Sequence, residues 1–128
     1  MDLRIRIPKT DLTYYIQKLY RLLEVGDPNI ILYIQTRISE NEKFVDDCYS
    51  DGCYILNYAV ELGHTSIVHA MVEITEFCAH LDTKDETERT PVEWAVYRKD
   101  PEMILFLVSS GAKLSVQDVP SILWNSIW

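Results

Sequence analysis

The sequence predicts an all-α solenoid of about three helix–turn–helix repeats, with finger loops between them and a C-terminal capping helix. Three observations carry this. The segment CYILNYAVELGHTSIVHAMV from Cys53 returns as RTPVEWAVYRKDPEMILFLV from Arg89, an offset of 36 residues. Apolar falls on apolar at the positions that matter for a helix face: Leu56 on Val92, Ala59 on Ala95, Ile67 on Met103, Val68 on Ile104, Met71 on Leu107. The last copy carries explicit helix-start and helix-stop residues, Thr90-Pro91 and Gly111, and a period slightly above 33 suits helix pairs rather than propeller blades.

The elements follow in order. Residues Asp11 to about Val25 read as a first helix with a polar outward face, as the free end of a stack requires. A worn copy of the repeat begins inside it: with Gly26 placed on Gly63, Leu19 meets Leu56, Leu22 meets Ala59, Ile30 meets Ile67 and Ile34 meets Met71. The middle copy uses Gly63 as the turn between its helices. Its start, Tyr54-Ile55, offers no good N-cap. About three extra residues between Val72 and Cys78 predict an outer helix longer by one turn.

The last copy is the clearest. Thr90 is an N-cap, Pro91 stands at N1 where a missing N–H costs nothing, and Glu93 at N3 completes a T-x-x-E capping box. Its first helix closes near Lys99-Asp100-Pro101, because the residue before proline is pushed out of the α region. Its second helix shows one apolar stripe, Met103, Ile104, Leu107 and Val108, and ends at a C′ glycine, Gly111. Asp118 then reads as the N-cap of a short helix to about Trp128. Ile122, Leu123 and Ile127 would cover the last repeat, while Trp124 and Trp128 read as cap residues or as an exposed aromatic anchor. The repeats span about 12–47, 48–83 and 84–115, with a cap at 118–128, in one domain of 128 residues. One pair cannot bury its own apolar face, whereas stacked pairs can. Leu56, Ala59, Ile67, Val68, Met71, Ala95, Ile104 and Leu107 are therefore the expected core.

The formal net charge is −8. Such a chain repels polyanions, since nucleic-acid affinity comes mainly from Lys and Arg on phosphates. A basic protein surface is the better electrostatic match, although surplus acid also keeps a small protein soluble. Apolar runs stay short of the ~18 residues that span a bilayer. The N-terminus lacks the apolar stretch and small-residue cleavage site of a secretory signal. With an odd number of cysteines, Cys48, Cys53 and Cys78, this points to free thiols in a reducing, cytoplasmic setting. No C-x-x-C or H-x-x-x-H spacing supports zinc, so no metal or other cofactor is expected. Phosphate-binding glycine loops, H-E-x-x-H and G-x-S-x-G are missing, and the chain does not read as an enzyme. The acidic pairs Asp46-Asp47 and Asp85-Glu86 lie in linkers, where charge is normally solvated.

The copies resemble ankyrin repeats. Thr90-Pro91-Val92-Glu93-Trp94-Ala95 is similar to the T-P-L-H-x-A signature, and CAHLDTKDETERTPV to the family's G-A-D-V-N-A-K-D-x-x-G-x-T-P-L finger. Ser110-Gly111-Ala112-Lys113-Leu114 is like the family's G-A-D-V ending. The middle copy keeps Asp51-Gly52, Leu56, Ala59, Gly63-His64 and Ile67-Val68. The signature histidine, which ties neighbouring turns by hydrogen bonds, is replaced by Asn57 and Glu93.

The resemblance implies an ankyrin-repeat solenoid whose concave side, finger tips plus the exposed edge of each first helix, binds a partner protein. Carried over by position, this gives Cys48, Ser50, Asp51, Cys53, Glu61 and Leu62 in the middle repeat, with Tyr49 and Tyr54 flanking its finger. The last repeat supplies Lys84, Glu86, Thr87, Arg89, Tyr97 and Arg98, and the first only Glu24 and Val25. The expected function is a protein–protein interaction module, monomeric or in a 1:1 complex, that blocks its partner. Small acidic ankyrin-like chains occur among immunity proteins that neutralise toxins. The alternative is a viral or host-manipulating adaptor that recruits a target.

Overall fold

The computed structural model of the protein describes residues 8–114, with side chains from residue 12 onward. Within them the chain forms helices and no strand. It divides after Cys53 into two compact units. The C-terminal cap expected at 118–128, with Trp124 and Trp128, lies outside the described residues.

The first unit holds α1 (Pro8–Val25), α2 (Asn29–Glu40) and α3 (Phe44–Ser50). Ile16, Leu19 and Leu23 on α1 and Ile30 and Ile34 on α2 are buried at helical spacing. Helix α3 corrects the reading of this stretch as an extended finger. Phe44, Val45, Cys48 and Tyr49 stand at i, i+1, i+4 and i+5, and all four are buried. That stripe is worth more as a helix face than as a solvated loop, so Tyr49 and Ser50 belong to a helix.

The second unit holds α4 (Ile55–Leu62), α5 (Thr65–Val72), a 3₁₀ helix (Thr75–His80), α6 (Pro91–Tyr97) and α7 (Pro101–Ser109). Helix α4 packs along α6, and each packs on its own partner, α5 or α7. All eight residues expected in the core are buried, none more than 6% exposed. The capping box of Thr90 and Glu93 is present, with Thr90 N–H to Glu93 at 2.9 Å and Glu93 N–H to Thr90 Oγ1 at 3.2 Å. As expected, α4 has no side-chain N-cap.

The extra residues after Val72 do not lengthen α5. Ile74 turns to extended backbone, φ −80° and ψ 117°, and Thr75–His80 form a separate 3₁₀ helix. The break places Ile74, Phe77 and Leu81 in the core, with Phe77 1% exposed.

Asn57 stands where the repeat signature has histidine, and it supplies the missing tie. Its side chain is wholly buried. Its Nδ2 donates to the Thr83 and Arg89 carbonyls, both at 2.9 Å. One amide from α4 thus clamps both arms of the loop that leads into α6. No helix among the described residues is long and apolar enough to cross a membrane.

Candidate functional site

The surface of interest in the second unit is built around Asp85. Its Oδ1 accepts from Thr87 N–H at 2.9 Å, Thr87 Oγ1–H at 2.6 Å and Arg89 N–H at 3.2 Å. The loop closes behind it, with Asp85 N–H to the Arg89 carbonyl at 3.0 Å and Glu88 N–H to the Asp85 carbonyl at 2.9 Å. Its Oδ2 accepts from Trp94 Nε1–H at 2.6 Å. Partial burial works to raise the carboxyl's pKa, but the bonds from Thr87, Trp94 and the Arg89 backbone prevail and hold it below the usual carboxylate value. Asp85 is therefore a fixed anchor of the finger, not the freely solvated charge its linker position suggested. A D-x-T turn was the available clue, since Asp side chains cap backbone N–H groups two residues on.

Anchoring Trp94 positions what lies over it. The Arg89 guanidinium sits 4.6 Å from the Trp94 ring centroid and 4.5 Å from that of Tyr97. The two rings meet edge to face at 5.5 Å and 87°. Trp94 and Tyr97 are i, i+3 on α6, so one helix face presents both. Trp94 is 7% exposed and Tyr97 64%. The result is a supported aromatic tip beside a cation that lies against both rings.

Below Tyr97, Arg98 Nη1–H donates to the Glu61 carbonyl at 3.0 Å, in the last turn of α4. It thereby neutralises part of the negative end of that helix. Its guanidinium also occupies the space that a Cβ on Gly63 would need.

The expected contact residues can now be placed. Lys84, Glu86, Thr87, Tyr97 and Arg98 are exposed, while Arg89, Glu61 and Leu62 are half-buried. Arg89 and Tyr97 come together, as do Arg98 and Glu61. In the first unit, Ser50 and Asp51 are exposed, as is Val25, 77% so. Cys48, Tyr49 and Cys53 are buried at 1%, 7% and 1%, so their side chains offer no contact surface. Sequence reasoning gave them to a finger, and the helix that buries them was missed.

The first unit also carries a surface feature that the repeat pattern did not single out. A groove of about 390 Å³ is lined by Lys18, Leu22, Leu32 and Tyr33 among others. Beside it Arg37 lies over the rings of Tyr15 and Tyr33, at 4.6 and 5.4 Å. Burial pushes the pKa of the Tyr33 hydroxyl up to about 12. Among the described residues no group of three His, Cys, Asp or Glu gathers as a metal site.

The comparisons with known proteins bear on this geometry. The family model of ankyrin repeats matches the chain in three copies over residues 19–118. No curated protein and no solved structure matches it.

Proposed function

The chain belongs to the ankyrin-repeat family, a fold that binds other proteins, and on that premise we propose that it holds a basic partner protein through the finger and first helix of its last repeat and blocks it by doing so. The observation that carries this is Tyr97, which is 64% exposed yet held by Arg89 against Trp94. Among the described residues its ring meets Arg89 and Trp94 and is otherwise turned to solvent. An exposed aromatic already propped by its neighbours loses less entropy on binding than a free one, which is what interface hot spots exploit.

Charge supports the partner's sign. The net charge of −8 draws a basic protein in from a distance, and Glu86 and Glu88 stand exposed on the finger beside the aromatic tip. Holding a surface that the partner works through is enough to block it. Neutralisation of a toxin by an immunity-type inhibitor is one instance of that reading.

The test is affinity capture from the native cell, with wild type and Tyr97→Ala as paired baits, followed by mass spectrometry and a functional assay of the recovered partner. A basic protein retained in 1:1 ratio by wild type, lost by Tyr97→Ala and inhibited on adding the chain supports the proposal. Equal retention by both baits, or a partner whose activity is unchanged, overturns it.

A further inference from the structure

Cys48 lies in the last turn of α3, and Cys53 follows it by five residues. Between them Asp51 caps the helix and Gly52 takes a left-handed backbone, φ 86°. The chain reverses there, so that Cys53 N–H donates to the Cys48 carbonyl at 2.9 Å. A disulfide spans Cα atoms about 4.4–6.8 Å apart, and this backbone bond holds the two residues next to each other. The side chains follow the backbone, and the two thiols hydrogen-bond each other. Both residues are 1% exposed. Buried cysteines often act only as small apolar fillers. Two thiols in mutual contact, closed by a backbone bond over a left-handed glycine, have a second capacity.

We infer that Cys48 and Cys53 are a reversible redox pair, which a hydroperoxide converts into one intramolecular disulfide joining the last turn of α3 to the chain beyond Gly52. The roles of the two sulfurs differ. Cys48 donates its S–H to Cys53, and this bond draws the Cys53 thiol below its usual pKa in spite of burial, with Tyr20 as a further hydrogen-bond partner. The same bond, then burial, pushes Cys48 up. Cys53 is thus the readier of the two to give up its proton, and Cys48 the one that keeps it.

Cys53, on losing its proton, attacks one oxygen of the hydroperoxide as the thiolate. An S–O bond forms, the O–O bond breaks, and the departing alkoxide or hydroxide takes a proton and leaves as alcohol or water. Cys53 is now a sulfenic acid. The Cys48 sulfur attacks it, the S–S bond forms, and the expelled hydroxide leaves as water with the Cys48 proton. In sum two thiols give up two electrons and two protons, and the hydroperoxide takes up both.

Burial sets the rate. Oxidant reaches the pair when the end of α3 frays, at the exposed Ser50 and Asp51. Cys78 is exposed and belongs to the second unit, so it reports on unhindered chemistry in the same molecule.

The experiment treats the full native chain with excess hydrogen peroxide, quenches by alkylation, and maps the peptides by mass spectrometry. The expected product is lighter by two hydrogen atoms, with a Cys48–Cys53 cross-linked peptide that dithiothreitol dissolves. It forms at least tenfold more slowly than oxidation of Cys78, and Cys78→Ser leaves its yield unchanged. In Cys48→Ser the disulfide is lost and Cys53 runs on to the sulfinic acid. The inference is overturned if Cys48 and Cys53 are both still alkylated once Cys78 is fully oxidised and the exposure is extended a hundredfold. It is equally overturned if the only disulfide found involves Cys78. Because wild type alone decides the outcome, poor folding of a variant would not obscure it.

Discussion

Lys99 occupies in the last repeat the turn position that Gly63 occupies in the one before, and both are left-handed, with φ 58° and 78°. The hydrogen bonds correspond: Asp100 N–H reaches the Ala95 carbonyl at 3.0 Å, as His64 N–H reaches that of Ala59 at 3.2 Å. A side chain in this conformation costs about 1–2 kcal/mol, which glycine avoids at some entropic loss. Lys99→Gly should therefore raise stability by about 0.5–1 kcal/mol in a urea titration. Gly63→Ala should lower it by more than that, since a Cβ there also displaces the Arg98 guanidinium from the end of α4.

Asn57→Ala removes both donors that hold the loop before α6 and leaves the Thr83 and Arg89 carbonyls without them. Loss of buried hydrogen bonds of this kind costs about 2–4 kcal/mol in total. Denaturant unfolding should show that loss, and hydrogen exchange should rise across residues 82–90 before it rises in α7. A change below about 0.5 kcal/mol would mean that the amide is not the tie.

Asp85 should make stability acid-sensitive. Its folded pKa lies below the unfolded one, so its contribution is complete above the unfolded value, near 4, and is lost as pH falls through the folded value. Wild type should exceed Asp85→Asn in stability at pH 7 and at pH 5, and the gap should close progressively below about pH 4. Unfolding midpoints at four pH values check this. A gap that widens in acid would reverse the sign and refute the assignment.

Ile104 is 1% exposed on α7. Ile104→Ala should cost about 2–4 kcal/mol through the cavity it leaves. A calorimetric or denaturant shift well below 1 kcal/mol would show that the repeat register is wrong.

Tyr97 should separate binding from folding. With most of its side chain in solvent, Tyr97→Ala should change stability by no more than about 0.5 kcal/mol. Its complex with the captured partner should weaken by about 1–3 kcal/mol, mainly through faster dissociation. Glu86→Lys should instead slow association and flatten its dependence on salt, because finger charges act at long range. Surface-binding kinetics at several salt concentrations distinguish the two.

Much of the architecture was legible because it is local. The capping box at Thr90 and Glu93, the turn at Gly63 and the apolar stripes of α5 and α7 each depend on residues within a few positions of one another. Repetition then did the rest, since a repeated amphipathic pair has few ways to bury itself. Local signals failed where two readings competed for one segment. The stripe Phe44, Val45, Cys48, Tyr49 was in plain view, but the finger pattern around Asp51-Gly52 claimed it. After Val72, spacing gave the number of extra residues but not that Ile74 would break the helix to bury Phe77.

What only the tertiary structure decided is how distant residues meet. Asn57 finds its carbonyls 26 and 32 residues away, and Arg98 finds that of Glu61 37 residues back. The sequence by itself determined that helix pairs would stack and which faces would be apolar, because periodicity and caps are written residue by residue. It could not determine which polar groups would be buried together, because that depends on the three-dimensional closeness of segments whose separation along the chain carries no local mark.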